Sequence, residues 1–128
     1  MKKILVIDDE MQLCKLMKEL LEQQSYSVRI ALNGNEGLKH LEGETPDLVI
    51  TDLFMPEKEG FETITSIRQR YPQLKIIAIS GGGKTGSVEL LTLAQRMGAQ
   101  MTLMKPFSRS ELLLAVQEVI GLSASEKA

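Results

Sequence analysis

The chain has 128 residues, the length of one ordinary domain, so a second folded domain within it is excluded. Its 15 Lys and Arg residues against 17 Asp and Glu residues give a net charge of −2, which argues against direct binding of nucleic acid or of an acidic membrane. A single cysteine excludes an internal disulfide, and no Cys/His cluster has zinc-site spacing. The apolar runs are far shorter than the roughly 20 residues of a membrane span. We expect a soluble, cytoplasmic protein.

Short apolar segments predict the β-strands. They lie at residues 4–7, 28–30, 48–50, 76–79 and 101–104. Their shortness and β-branched content favour strands over helices, and the unbroken apolar segments indicate strands covered by helices on both faces. In the second segment Arg29 stands between Val28 and Ile30, an alternation typical of an edge strand.

The stretches between these segments predict helices. After the first strand, apolar residues recur at the spacing of one helix face, at Leu13, Leu16, Met17, Leu20 and Leu21. Asn33 with Glu36, and Ser108 with Glu111, predict capped starts of two later helices. Strands and helices in this alternation predict a parallel sheet with right-handed crossovers, whose ligands bind at the carboxyl ends of the strands.

Polar residues follow the predicted strands at those carboxyl ends. They are Asp8, Asp9 and Glu10 after the first strand, Asp52 after the third, Ser80 after the fourth and Lys105 after the fifth. Crowded carboxylates repel one another, so at least one pKa should rise unless a cation compensates. A set of oxygen ligands without His or Cys favours Mg²⁺. With Lys105 and Ser80 opposite the metal, the edge is suited to bind a phosphoryl group.

Other chemistry is less well supported. The single histidine, His40, falls on the predicted second helix, away from this edge, so no nucleophile with a general base is visible. Cys14, in the first helix, is expected to be a packed residue and not a redox centre. We therefore do not expect an enzyme of the hydrolytic kind.

The same residues resemble the receiver domain of bacterial two-component response regulators over essentially the whole chain. The matching pieces are residues 7–10, residues 47–56 with Gly60, Ser80, residues 98–99 and residues 105–107. The resemblance implies an α/β, single-domain, flavodoxin-like three-layer fold, with a five-stranded parallel sheet of order 2-1-3-4-5 and five helices. The receiver domain would span residues 1–122, and residues 123–128 would form a polar tail or the start of a linker.

The resemblance also implies a chemistry. Asp52 would accept a phosphoryl group from the phosphohistidine of a histidine kinase or phosphotransfer protein. Asp9, Asp52 and the backbone carbonyl of Phe54 would bind Mg²⁺ directly, and Asp8 would bind it through water. The chain would be a phosphoacceptor that assists its own phosphorylation and dephosphorylation, and not an enzyme acting on other substrates.

Two further residues would contact the phosphoryl group: Ser80 and Lys105 would each bind one of its oxygens, and the Lys105–Pro106 peptide would be cis. An output domain or protein would bind the face formed by the fourth helix, fifth strand and fifth helix. Residues 112–114 are three consecutive leucines, of which at least one should be exposed on this face, favouring a partner or a homodimer.

Two positions depart from the family pattern. Thr102 stands where most members carry an aromatic residue that changes rotamer on activation, so switching in that usual form is not expected. Phe54, two residues after the acceptor, lies where the family controls access of water to the acyl phosphate. We expect this bulky side chain to slow dephosphorylation.

Two alternatives remain open from the sequence. Residues 78–85 nearly match a P-loop, with Ala78 in place of the first glycine, but a P-loop nucleotide-binding protein would leave Asp8, Asp9 and Lys105 unexplained. A receiver-shaped interaction module that works without phosphorylation is the other alternative. The presence of the complete set of acceptor-site residues argues against it.

Overall fold

The strands and helices alternate along the chain. The computed structural model describes residues 1–53, 60–81 and 87–121. The strands are β1 (Lys3–Ile7), β2 (Ser27–Ala31), β3 (Leu48–Asp52), β4 (Lys75–Gly81) and β5 (Met101–Lys105). The helices are α1 (Met11–Glu22), α2 (Gly34–Gly43), α3 (Gly60–Arg70), α4 (Ser87–Arg96) and α5 (Arg109–Ile120). The predicted tail, residues 123–128, lies outside the described residues.

The five strands form one parallel sheet of order β2-β1-β3-β4-β5. This is the order that the family resemblance implies, so the predicted fold class is confirmed. β2 is an edge strand, as its alternation predicted, with Val28 buried and Arg29 exposed.

The sheet has a core on each face because alternate residues of the central strands point in opposite directions. In β1, Ile4 and Val6 belong to a core cluster that includes residues of α1 and α5, whereas Leu5 and Ile7 belong to a second cluster that includes residues of α2, α3 and α4. Both sides of the strand are therefore buried, which explains why its apolar residues are uninterrupted.

Helix caps confirm two of the sequence predictions. The Asn33 side chain accepts a hydrogen bond from the backbone N–H of Glu36, and Ser108 forms a reciprocal capping box with Glu111. In α5 Leu112 is buried and Leu114 is 63% exposed, as the run of three leucines required. No helix in the described ranges is both long enough and apolar enough to cross a membrane.

One predicted core position is wrong. Leu16, placed on the apolar face of α1, is about half exposed. The buried face is centred instead on Cys14, Met17 and Leu21, and Leu16 is rotated toward a groove that Phe107 also lines. The spacing of the leucines alone does not reveal this rotation, because the centre of the buried face includes Cys14, which is not part of the leucine pattern.

Gly37 of α2 is required by close packing against β1. A Cβ atom at this position would lie 2.4 Å from Cδ1 and 2.9 Å from Cγ1 of Ile7, a residue fully buried in the sheet. Gly43, the last residue of the same helix, has no such neighbour within 4 Å. Gly37 and Gly43, which lie in the same helix, therefore provide a matched pair.

We expect Gly37→Ala to lower the free energy of unfolding by about 1–2 kcal/mol, because overpacking against Ile7 outweighs the gain in helix propensity. Gly43→Ala should be neutral or stabilising by up to about 1 kcal/mol. Urea unfolding followed by circular dichroism measures both. Equal stability of the two variants would contradict the packing argument.

Candidate functional site

The site lies at the carboxyl edge of the sheet, where strand register brings distant residues together. Ile7 of β1 is paired with Thr51 of β3, so the residues that follow, Asp8 and Asp52, are neighbours across the two strands. On the other side, Asp52 is paired with Ile79 of β4. Further along the edge, Gly81 of β4 is paired with Lys105 of β5. Asp8, Asp52, Ser80 and Lys105 thus share one end of the sheet.

The Lys105 ammonium is shared by three carboxylates. Its Nζ atom lies 3.0 Å from Oδ2 of Asp8, 2.8 Å from Oε1 of Glu10 and 3.2 Å from Oδ2 of Asp52. Lys105 is the last residue of β5, and the peptide bond between Lys105 and Pro106 is cis, as the resemblance implied. This cation neutralises part of the negative charge that the strand ends concentrate.

The two acids at the centre of the site are buried. Asp8 is 0% exposed and Asp52 4% exposed. Burial raises the pKa of Asp8 from 3.8 to about 6, with a further upward contribution from the charge of Asp52. The backbone N–H of Glu10, which donates to Asp8 Oδ1 at 2.9 Å, and the Lys105 ammonium oppose this rise in pKa. The sequence-based expectation of at least one raised carboxyl pKa is confirmed.

The pKa of Lys105 also rises, but for a different reason. Burial alone would lower the pKa of Lys105, but hydrogen bonds to Glu10 and Asp8 and the charges of Asp52 and Asp8 outweigh it and raise that pKa. Lys105 is therefore protonated at neutral pH and is a permanent cation next to the buried acids.

Ser80 supplies a hydroxyl near this cation. It follows Ile79, the residue paired with Asp52, and is completely buried. Its Oγ atom has no hydrogen-bond partner among the residues that the structure describes. A buried hydroxyl without a partner is costly, and an oxygen-bearing ligand at this edge would remove that cost.

Three carboxylates are arranged as a metal site would need. Asp8, Asp9 and Asp52 each present an oxygen within 4.8 Å of the others. Asp9 is exposed, so the three carboxylates are accessible to solvent on its side. A donor set of oxygens alone, open on one side, fits a hard cation such as Mg²⁺, which keeps part of its water shell.

Several predicted features fall elsewhere. Phe54, the expected backbone ligand, and residues 82–86, which include the second half of the P-loop-like segment, lie outside the described residues. His40 lies on α2 and is partly buried. Cys14 is fully buried and donates to the Asp8 carbonyl, and burial raises the pKa of its thiol to about 12, so it is a packed residue as expected.

One contact was missed by the sequence reasoning. The sequence pattern places Glu10 among the clustered acids but predicts no partner for it, whereas in the structure it makes the shortest of the three contacts with Lys105. The only signal in the sequence is its position directly after Asp8 and Asp9. Its contact depends on how the start of α1 lies against the end of β5, which spacing along the sequence does not specify.

Comparisons with known proteins agree with this architecture. The family model "Response regulator receiver domain" matches residues 4–117. The transcriptional regulatory protein CpxR of Escherichia coli strain K12 is 33% identical over 123 residues, covering 96% of this chain and 51% of CpxR. The alkaline phosphatase synthesis transcriptional regulatory protein PhoP of Bacillus subtilis is 33% identical over 122 residues, covering 95% of this chain and 50% of PhoP. The chain spans about half the length of these relatives.

Solved structures give the same result. The receiver domain of NtrX from Brucella abortus superposes with a TM-score of 0.87 at 28% identity, covering 94% of this chain and 99% of that one. A response regulator receiver domain protein from Clostridium thermocellum superposes with a TM-score of 0.86 at 33% identity, with 94% of each chain covered. The chain belongs to the response regulator receiver domain family of two-component systems.

Proposed function

We propose that the chain is a phosphorylation-controlled switch in which Asp52 accepts a phosphoryl group from the phosphohistidine of a histidine kinase or phosphotransfer protein. The observation that carries the proposal is the position of the Lys105 ammonium, 3.2 Å from the Asp52 carboxylate and 3.0 Å from that of Asp8. A buried acid beside a fixed cation is arranged for transfer of a negatively charged group.

The reaction forms one bond and breaks one bond. An Asp52 carboxylate oxygen attacks the phosphorus atom, the P–N bond to the donor histidine breaks, and its electron pair returns to the imidazole. The product is an acyl phosphate on Asp52. Lys105 pairs with one phosphoryl oxygen, and the Ser80 hydroxyl, which has no partner among the described residues, donates to another.

Asp8, Asp9 and Asp52 would hold Mg²⁺ together with the backbone carbonyl of Phe54, with Asp8 bound through water. Their three oxygens already lie within 4.8 Å of one another. When bound, the metal supplies the positive charge that makes phosphoryl transfer to an acidic site feasible. The role of the three aspartates would be to place that charge, and the raised pKa of Asp8, which burial and the neighbouring charge of Asp52 cause, supports a site that gains from an added cation.

The readout would be on the face formed by α4, β5 and α5. Three apolar side chains there are conspicuously exposed: Leu93, Met104 and Leu114. An output domain, an output protein or a second copy of the chain would cover them.

Replacement of Asp52 tests the acceptor directly. We expect the wild type, incubated with Mg²⁺ and a small phosphodonor such as acetyl phosphate, to gain one phosphoryl group by intact-protein mass spectrometry. Asp52→Asn should gain none, because an amide is not a nucleophile for phosphorus. Borohydride reduction converts an aspartyl phosphate to homoserine, so peptide mapping identifies the labelled residue.

The matched control is Asp47→Asn, at the opposite end of β3 from the site. It removes the same charge and should be labelled like the wild type. Label retained by Asp52→Asn, or homoserine at a residue other than 52, would contradict the proposal. A wild-type chain that takes up no label would favour the phosphorylation-independent interaction module.

The raised pKa of Asp8 predicts a pH-dependent stability of the metal-free protein. A folded-state pKa above the unfolded value stabilises the fold at low pH, and this contribution is lost as pH rises through about 6. Ionisation of Asp8 should therefore cost up to about 3 kcal/mol of unfolding free energy between roughly pH 4 and pH 7. Asp8→Asn should remove this loss and be the more stable protein at neutral pH. Urea unfolding in EDTA at several pH values measures the effect.

Glu19→Gln, an exposed position on α1, serves as the control for charge removal and should stay within about 0.5 kcal/mol of the wild type. Addition of Mg²⁺ should restore the stability of the wild type at neutral pH but have less effect on Asp8→Asn. Stability curves for the wild type and Asp8→Asn that run parallel from acid to neutral pH would refute the assignment of the burial cost to Asp8.

A further inference from the structure

Glu10 joins two parts of the site. Its backbone N–H donates to Asp8 Oδ1 at 2.9 Å, and its side-chain Oε1 lies 2.8 Å from Lys105 Nζ. Its side chain is 62% exposed, whereas the other two acids on the lysine are buried. Glu10 is therefore the one solvent-accessible member of the group of three acids that Lys105 contacts.

Glu10 lies at the start of α1, where its carboxylate could have bonded to the helix and not to Lys105. Glu10 is the N-cap residue of α1, yet its side chain makes no cap hydrogen bond to the helix. A carboxylate at a helix N-terminus ordinarily gains from the unpaired backbone N–H groups there. Here the carboxylate is instead turned toward Lys105 at the end of β5, so this ion pair determines where it lies.

A ligand with negatively charged oxygens must compete with this ion pair. The Lys105 ammonium donates to Glu10 Oε1 at 2.8 Å and to Asp52 Oδ2 at 3.2 Å, and it forms an ion pair with Asp8 Oδ2 at 3.0 Å. Asp8 and Asp52 are fixed in the sheet edge, whereas Glu10 is exposed and can move into solvent. Release of Glu10 is thus the least costly way to free one donor of Lys105.

We propose that Glu10 is a positioning residue that holds Lys105 in the resting state and competes with the phosphoryl group for its ammonium. The inference rests on the proposed function, since it assigns a regulator to the same site. The Glu10 carboxylate lowers the affinity of the site for a phosphoryl group because it competes for the Lys105 ammonium. It does not contact the phosphorus atom.

The test is binding of beryllofluoride, a mimic of the phosphoryl group, in the presence of Mg²⁺, followed by ¹H–¹⁵N NMR titration. Glu10→Gln should bind beryllofluoride about two- to five-fold more tightly than the wild type, the range that corresponds to losing one exposed ion pair. In the ligand-free variant, the ¹H–¹³C signal of the Lys105 ε-methylene should also shift. The affinity gain should shrink as salt rises from about 0.05 M to about 1 M, because exposed charges are screened.

The matched control is Glu22→Gln. Glu22 pairs with Lys18 at the same distance, 2.8 Å, on the surface of the same helix. This variant removes the same charge, so it should shift the signals of Lys18 and leave both the Lys105 signal and the beryllofluoride affinity unchanged.

The outcomes separate this inference from the proposed function. If the wild type binds beryllofluoride and Glu10→Gln binds it equally or more weakly, the inference is overturned and the acceptor function stands. An equal gain in Glu22→Gln also overturns it, because the effect would then belong to net charge. If the wild type does not bind beryllofluoride at all, the acceptor function fails, and the role of Glu10 fails with it.

Discussion

The site depends on one cation that lies among carboxylates. Without it, the repulsion between these buried negative charges would oppose their close approach. The Lys105 ammonium contacts the carboxylates of Asp8 and Asp52, both almost fully buried, and that of the exposed Glu10. Without a positive charge, two neighbouring buried carboxylates would favour protonation of one of them. Burial raises the pKa of Asp8 to about 6 even though the Lys105 ammonium lowers it. The edge therefore concentrates negative charge, which in the proposed function a bound divalent cation would offset.

The fold explains why this concentration of negative charge is tolerated. All five strands are parallel, so their carboxyl ends lie on one edge, and the two helical layers bury both faces of the sheet. Residues just past β1 and at the end of β3 cannot leave this edge without breaking the strand pairing between Ile7 and Thr51. The two apolar cores thus stabilise an arrangement of charges that is unfavourable by itself.

Much of this was predictable from the sequence, and the limits have physical causes. The strands follow from short apolar segments, and the caps at Asn33 and Ser108 follow from local hydrogen-bonding rules. The sheet order came from the family resemblance, since spacing alone does not specify which strands are neighbours. The rotation of Leu16 out of the core and the partner of Glu10 depend on how α1 sits against the β5–α5 connection. Such tertiary packing leaves no periodic signal in a single sequence.

The most direct measurement is a carboxyl-carbon NMR titration of the aspartate side chains in the metal-free protein, compared between the wild type and Lys105→Met. The charge balance described above predicts that Asp8 titrates with a pKa of about 6 in the wild type and at a higher pH in the variant, because the lysine lowers that pKa. An Asp8 pKa near 3.8 in the wild type, or the same value in both proteins, would contradict the claim that burial and Lys105 together set the charge of this site.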